Sequence, residues 1–180
     1  MSTTTIDEQL AELRRRVDRL QALGGAIAEN GRIKRHLDAL RRQDAAVQTA
    51  LREASDEAED ELAQLRMRLA VAEWSLVADI SDDWESFAIA VEEELRGWDT
   101  YLERLQTTAA TRAWKARERA EVAIGEVRSC RIAVDARLAQ VRNSAGDRAT
   151  EQRRQVTEAR DELGQKADEL PAKLDRTEQT

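Results

Sequence analysis

Two apolar seams meet at a short polar stretch in residues 61–98, which read ELAQLRMRLAVAEWSLVADISDDWESFAIAVEEELRGW. Apolar residues on both sides recur at alternating spacings of three and four, the heptad pattern of helices that pack against other helices. The second seam starts at Trp84, out of phase with Leu69 and Leu76. Asp82, with Glu85 three residues later, is typical of a helix N-terminus. The stretch therefore predicts two helices that fold back on each other at 81–83.

The same spacing extends outward from this fold-back point. A seam beginning at Ile33, with a one-residue slip near Ala58, predicts an unbroken helix over 32–80, about 74 Å long at ~1.5 Å per residue. A further seam runs, with slips, from Trp84 to Val141. The expected fold is all-α, an elongated antiparallel coiled-coil hairpin with flanking N- and C-terminal helices.

Helix-capping and helix-breaking residues divide the chain into three segments. Residues 1–31 are an N-terminal helix and break, with Thr5 and Glu8 as a capping box. Residues 32–146 form the long helical hairpin, and residues 147–180 form a C-terminal helix and frayed tail. Pro171 is expected to end this last helix, because proline disfavours the helical conformation of the residue before it.

The composition narrows the function classes. The 180 residues are 36% charged and 3% aromatic, with a net charge of −7 and only seven glycines and one proline. Long solvated helices fit this composition better than a sheet protein, which needs frequent turn residues. His36 and Cys130 are the single histidine and the single cysteine, so most metal sites and all disulfide scaffolds are excluded. We expect a non-enzymatic protein with no metal and no cofactor, and His36 at the surface.

The chain is expected to be cytoplasmic. Residues Ser2 to Gln9 contain neither the basic region nor the apolar region of a secretory signal. The longest apolar runs are four residues, whereas a membrane-spanning helix needs about 20. A single thiol fits a reducing compartment, and a redox function of Cys130 would require a depressed pKa.

Two stretches resemble a known family. They are Ser81-Asp82-Asp83-Trp84-Glu85-Ser86-Phe87 through Val91 with Trp98-Asp99 beyond, and Asp147 through Leu163. They resemble a loosely defined family of bacterial coiled-coil stress-response proteins, in which an acidic cap precedes a Trp, a Val and a second Trp–Asp pair. The chain departs from that pattern, since Trp98 lies seven residues after Val91 rather than about four, and the second copy lacks both Trp residues. The resemblance implies a coiled coil and no catalytic residues.

Charge is segregated along the sequence. Residues 1–52 carry 10 basic and 7 acidic side chains, and residues 53–95 carry 2 basic and 14 acidic ones. Residues 112–154 carry 11 basic and 6 acidic side chains. In the predicted hairpin the acidic stretch lies at one end and the two basic stretches lie near the other, which costs electrostatic energy within the hairpin. Either screening by salt makes this cost small, or the acidic end of one molecule meets the basic end of another. Trp is enriched at binding hot spots, which makes this acidic, aromatic end the candidate docking site for a second copy or another helical protein. Its residues are Trp74, Asp82, Asp83, Trp84, Phe87 and Trp98.

Binding to an anionic membrane surface is the alternative. A basic patch on an amphipathic helix suits such a surface, and an exposed Trp among basic residues adds to it. Nucleic acid is not expected as a partner, because the chain is acidic overall. The residues of this alternative are Arg32, Lys34, Arg35, Arg41, Arg42 and Trp114.

Overall fold

The computed structural model describes residues 3–25, 31–53, 58–111, 114–142 and 149–175. Within these ranges the chain forms six α-helices and no strand, which confirms the all-α fold class. The helices are α1 (Thr3–Gly25), α2 (Gly31–Arg52), α3 (Ala58–Ile80), α4 (Trp84–Ala110), α5 (Trp114–Arg142) and α6 (Ala149–Asp175). They belong to two compact units, of which unit 1 is Met1–Ser81 with Ile89–Trp98, and unit 2 is Asp82–Ala88 with Asp99–Thr180.

Unit 1 is a bundle of α1, α2, α3 and the middle of α4. Helices α1 and α2 run antiparallel: Arg14 of α1 pairs with Asp44 of α2 at 2.9 Å, and Arg41 of α2 donates to Gln21 of α1. Helix α3 is also antiparallel to α2, because Gln43 contacts Glu61 and Arg32 contacts Asp79, so α1 and α3 are parallel. The apolar core consists of Ile6, Leu10, Leu13, Leu20, Ile33, Leu40, Val47, Leu62, Leu65, Leu69, Ala72 and Leu76.

Within unit 1, α3 and the middle of α4 run antiparallel, as the predicted fold-back at 81–83 requires. Gly97 of α4 lies beside Val71 of α3, and Trp98 lies beside Arg68, so residue numbers rise along one helix as they fall along the other. Asp83, not Asp82, is the N-cap of α4, and its carboxylate accepts from the Ser86 N–H at 2.8 Å.

The unbroken helix expected over 32–80 was wrong. Helix α2 ends at Arg52 and α3 begins at Ala58, and the two pack antiparallel. The one-residue slip of the seam near Ala58 coincides with this break, but such a slip also occurs within a continuous helix, and it was interpreted that way. The charges mark it: Arg52 ends α2, and Glu59, Asp60 and Glu61 fill the first turn of α3. Both arrangements are favourable for the helix dipole.

Unit 2 packs its portion of α4 with α5 and α6. Asp99 of α4 pairs with Arg131 of α5 at 2.8 Å, and Glu126 of α5 pairs with Lys173 of α6 at 2.7 Å. Helix α5 is antiparallel to both neighbours. The seam predicted to run from 84 to 141 is thus divided between α4 and α5.

Two predicted helix ends also differ. Helix α1 begins at Thr3, so Thr5 lies inside the helix and is not its N-cap. Helix α6 continues past Pro171 to Asp175. Proline removes one backbone hydrogen bond, but burial of Leu174 and the Lys173–Glu126 ion pair hold the last turn against α5. The break expected at the end of the 1–31 segment falls on residues 26–30, and the expected boundary between residues 146 and 147 falls on residues 143–148, and both ranges lie outside the described residues.

Candidate docking surfaces

Trp98, a predicted docking residue, belongs to the core of unit 1. Its side chain is 1% exposed. The Arg68 guanidinium carbon lies 5.3 Å from the indole centroid, and the His36 ring lies 6.4 Å away. Trp98 is therefore not available to a partner. The expectation that His36 lies at the surface was also wrong, because His36 shares the inner face of α2 with Arg32, one turn earlier, and both are buried.

Phe87 is likewise a predicted docking residue that is buried, in unit 2. It is buried at the start of α4, with the Arg153 guanidinium 4.5 Å and the Arg160 guanidinium 5.7 Å from its ring centroid. Trp84 packs beside it, with the ring centroids 5.4 Å apart and the ring planes tilted by 45°. Cation–π contacts of this kind stabilise an aromatic side chain between neighbouring helices. Phe87 thus fixes α4 against α6 rather than facing solvent, and Trp84 is half-buried beside it.

Asp82 and Asp83 are exposed, and each has a structural contact in unit 2. The hydrogen bond from the Ser86 N–H lowers the pKa of Asp83, because it stabilises the charged carboxylate. The Asp82 carbonyl oxygen accepts from Arg153 at 3.3 Å. Asp83 therefore caps the N-terminus of α4, and Asp82 connects this end of α4 to α6.

Trp74 is the most exposed of the four predicted aromatic docking residues. It is 37% exposed on α3, and Val77, one turn later, is 39% exposed. Both continue a second heptad row on the side of α3 away from its core seam, which we call the outer seam of α3. Its members are at least partly exposed, and they are Ala63, Met67, Ala70, Trp74 and Val77.

The basic patch predicted for membrane binding is divided by the fold. Arg32 is buried and forms an ion pair with Asp79 of α3, so it cannot reach an anionic surface. Lys34 and Arg42 are exposed, and Arg35 is half-buried. Arg41 is exposed and pairs with Asp38 at 3.2 Å.

The segregated charges meet inside unit 1. Arg16 of α1 pairs with Glu73 of α3 at 2.6 Å, and Arg32 of α2 pairs with Asp79 of α3. The expectation that basic and acidic stretches lie at opposite ends was wrong, because the break after Arg52 folds the acidic α3 back along the basic α1 and α2. The acidic stretch is thus partly neutralised by its own chain.

Sequence reasoning missed the outer face of α5. Val122 and Ile132 are each 62% exposed. They belong to a heptad row opposite the core seam, with spacings of three and four, which we call the outer seam of α5. The spacing of this row is present in the sequence, but the apolar core seam on the same helix gives a stronger pattern. Its members are Val122, Gly125, Ser129, Ile132 and Ala136.

Chemical sites are sparse among the described residues. No group of three or more His, Cys, Asp or Glu side chains is placed to hold a metal ion in the described part of the chain. Burial raises the pKa of the Cys130 thiol above its ordinary value of 9.0, which disfavours the reactive thiolate at neutral pH. None of the helices in the described ranges combines the length and apolar character needed to cross a bilayer.

No family model, curated protein or solved structure matches this chain.

Proposed function

We propose that this chain is a non-enzymatic helical protein that acts by associating with itself or with another helical protein. The observation that carries the proposal is the pair of outer seams. Trp74 and Val77 on α3, and Val122 and Ile132 on α5, leave large apolar side chains in solvent while the core seams of the same helices are already buried.

Spacing gives these residues their weight. Single exposed apolar side chains are normal on a protein surface. A row at heptad spacing is different, because it presents a continuous stripe along one side of a helix, and such stripes pack against a second helix. Burying one Val or Ile side chain stabilises an interface by roughly 1.5–3 kcal/mol. Micromolar association corresponds to about −8 kcal/mol, and the outer-seam side chains contribute part of it, because association also costs translational and side-chain entropy.

Site-specific photo-crosslinking in cells that express the chain tests the proposal. A photoreactive amino acid replaces Trp74 or Ile132, and matched controls carry it at the exposed charged positions Arg66 of α3 and Arg119 of α5. We expect covalent adducts of discrete mass at the seam positions, at least tenfold above the controls. Equal yields at seam and control positions would contradict the proposal.

Peripheral binding to an anionic membrane is a second candidate, and the exposure of Trp114 favours it. Trp114 is 74% exposed at the start of α5. Lys34 and Arg42 are exposed basic side chains. Co-sedimentation with phosphatidylserine vesicles and with phosphatidylcholine vesicles tests this candidate. Binding to the anionic vesicles that Trp114→Ala weakens several-fold would support it, and no pelleting with either would end it.

The family resemblance adds a cellular context to the proposal. A role in a bacterial stress response, in the cytoplasm, stays a prediction. It is compatible with association as the mode of action, since the resemblance implies no catalytic residue.

A further inference from the structure

We infer that α5 pairs with the α5 of a second copy of this chain, antiparallel, along its outer seam. The inference rests on the proposed function, because it names the partner for one of the two seams. The seam is uncharged from Val122 to Ala136, and Glu118 marks its N-terminal limit on the same side of the helix. The helix presents this uncharged row over about 21 Å, at ~1.5 Å per residue.

Gly125 points to a close partner. A Cβ built on Gly125 would meet nothing within 4 Å, so the fold of the chain itself gives no steric reason for glycine there. Glycine in a helix interior is unfavourable relative to alanine. A helix from another molecule that approaches closely at this point supplies the missing reason, and Val122 and Ile132 lie on either side to pack around the crossing.

An antiparallel register makes the seam complementary to itself. A two-fold axis between residues 130 and 131 places Ser129 opposite Ile132, Gly125 opposite Ala136, and Val122 opposite Ala139. Ile132 thus faces the small Ser129, and Gly125 and Ala136 are both small. Such an isologous contact closes as a dimer and does not propagate.

The charges beside the seam fit the same register. Residues on one side of an antiparallel pair face residues on the same side of the partner helix. Glu126 then comes near Arg137 of the second copy, and Arg128 comes near Asp135, and symmetry repeats both pairs. Opposite signs meet in each case, which is the electrostatic complementarity expected of a specific interface.

The contacts within the chain leave these groups usable. Lys173 pairs with Oε2 of Glu126, at 2.7 Å. Arg128 donates to Gln106 through Nη2. Asp135 accepts from Arg131 on Oδ2. Each side chain keeps a second oxygen or further N–H groups for a second copy.

Equilibrium sedimentation of the purified chain tests the pairing. We expect the wild type to form a dimer and Ile132→Glu to weaken its association at least tenfold, with an unchanged helical circular dichroism spectrum because Ile132 is exposed in its own fold. Trp74→Glu on α3 is the matched control and should leave the dimer intact.

Mixed variants test the register. Ile132 lies near the proposed axis, so a mixture of Ile132→Glu with Ile132→Lys should restore the dimer that each variant alone has lost. Val122 lies far from its symmetry mate, about 26 Å along the helix. A mixture of Val122→Glu with Val122→Lys should therefore not restore the dimer. Restoration by the Val122 mixture would mean parallel pairing and would overturn the antiparallel register.

Two further outcomes would overturn the inference. One is a wild-type chain that stays monomeric at every concentration. The other is a dimer that Ile132→Glu leaves intact and Trp74→Glu removes. In either case the photo-crosslinking experiment still decides the proposed function, because it detects a partner other than a second copy and detects association through α3.

Discussion

Unit 1 and unit 2 use the same heptad spacing with side chains of different size. The α2–α3 contact of unit 1 is lined mainly by leucine, including Leu40, Leu65 and Leu69. In unit 2 the N-terminal half of α5 contributes alanine to its core seam, at 116, 120 and 123. Large side chains bury more apolar area per turn, at ~25 cal/mol per Å². The comparison teaches that equal spacing does not imply equal stabilisation.

The largest expected effect compares truncation in the two cores. Leu69→Ala in unit 1 should lower the free energy of unfolding by about 2–5 kcal/mol, because it deletes a fully buried side chain and leaves a cavity. Val127→Ala in unit 2 removes two methyl groups and should lower it by roughly 2 kcal/mol. Urea unfolding followed by circular dichroism measures both values.

Hydrogen exchange shows where each loss acts. Amides of α1 to α3 should lose protection in Leu69→Ala, and amides of α5 and α6 should lose it in Val127→Ala. Equal losses of stability from both variants would break the comparison, since they would mean that side-chain size does not distinguish the two cores.

Glycine substitutions sharpen the comparison with effects of opposite sign. A Cβ on Gly97 would lie 2.8 Å from Val71 Cγ2, so Gly97→Ala forces α3 and α4 apart in unit 1. Overpacking of this kind costs about 1–3 kcal/mol, more than the gain in helix propensity of up to ~1 kcal/mol.

Gly125→Ala in unit 2 meets no such obstacle. It should raise the free energy of unfolding by about 0.5–1 kcal/mol, measured at a concentration where the chain is monomeric. The same urea titration serves both variants. Stabilisation by Gly97→Ala would show that Val71 yields without cost and would remove the contrast.

The smallest expected effect is a response to acid. The Lys173 ammonium lowers the pKa of Glu126, and a backbone hydrogen bond lowers that of Asp83, both in unit 2. Groups with a lowered pKa contribute stability that is present above their unfolded-state pKa and is lost as pH falls through the folded-state value. We expect a shallow decline as pH falls below the ordinary values of 4.5 for Glu and 3.8 for Asp.

A double substitution identifies this part of the decline. The Asp83→Asn, Glu126→Gln variant should show a flatter dependence of the thermal midpoint on pH, and Asn keeps a capping side chain at residue 83. An unchanged pH dependence would show that the decline comes from other carboxylates.

The sequence predicted the fold as far as local rules reach. Heptad spacing predicted the all-α fold class, and the phase change with acidic caps predicted the reversal between α3 and α4. The break after Arg52 was missed because no Gly or Pro marks it, and the one-residue slip near Ala58 was interpreted as a change of supercoiling within one helix. Pro171 was misjudged because tertiary contacts of Leu174 and Lys173 outweigh one lost hydrogen bond.

The candidate site was less predictable for a physical reason. Trp98 and Phe87 are large aromatics in an aromatic-poor chain, and the sequence does not say whether such a residue faces a partner or its own core. The structure answers by placing arginines over both rings. The outer seam of α5 is the reverse case. Most of its residues are small, so the sequence alone does not mark it as a binding surface, and the exposure of Val122 and Ile132 identifies it.

Helix α4 has a consequence for the order in which the molecule is made. Within α4, residues 89–98 belong to unit 1, whereas residues 84–88 and 99–110 belong to unit 2. A ribosome that has released only α1 to α3 has therefore not yet delivered Trp98, the largest buried side chain of unit 1. Nascent chains usually fold domain by domain from the N-terminus. The leucine core consists of residues of α1 to α3 and can form at that stage, whereas Arg68 and His36 gain their contact with the Trp98 indole only after residue 98 has left the exit tunnel.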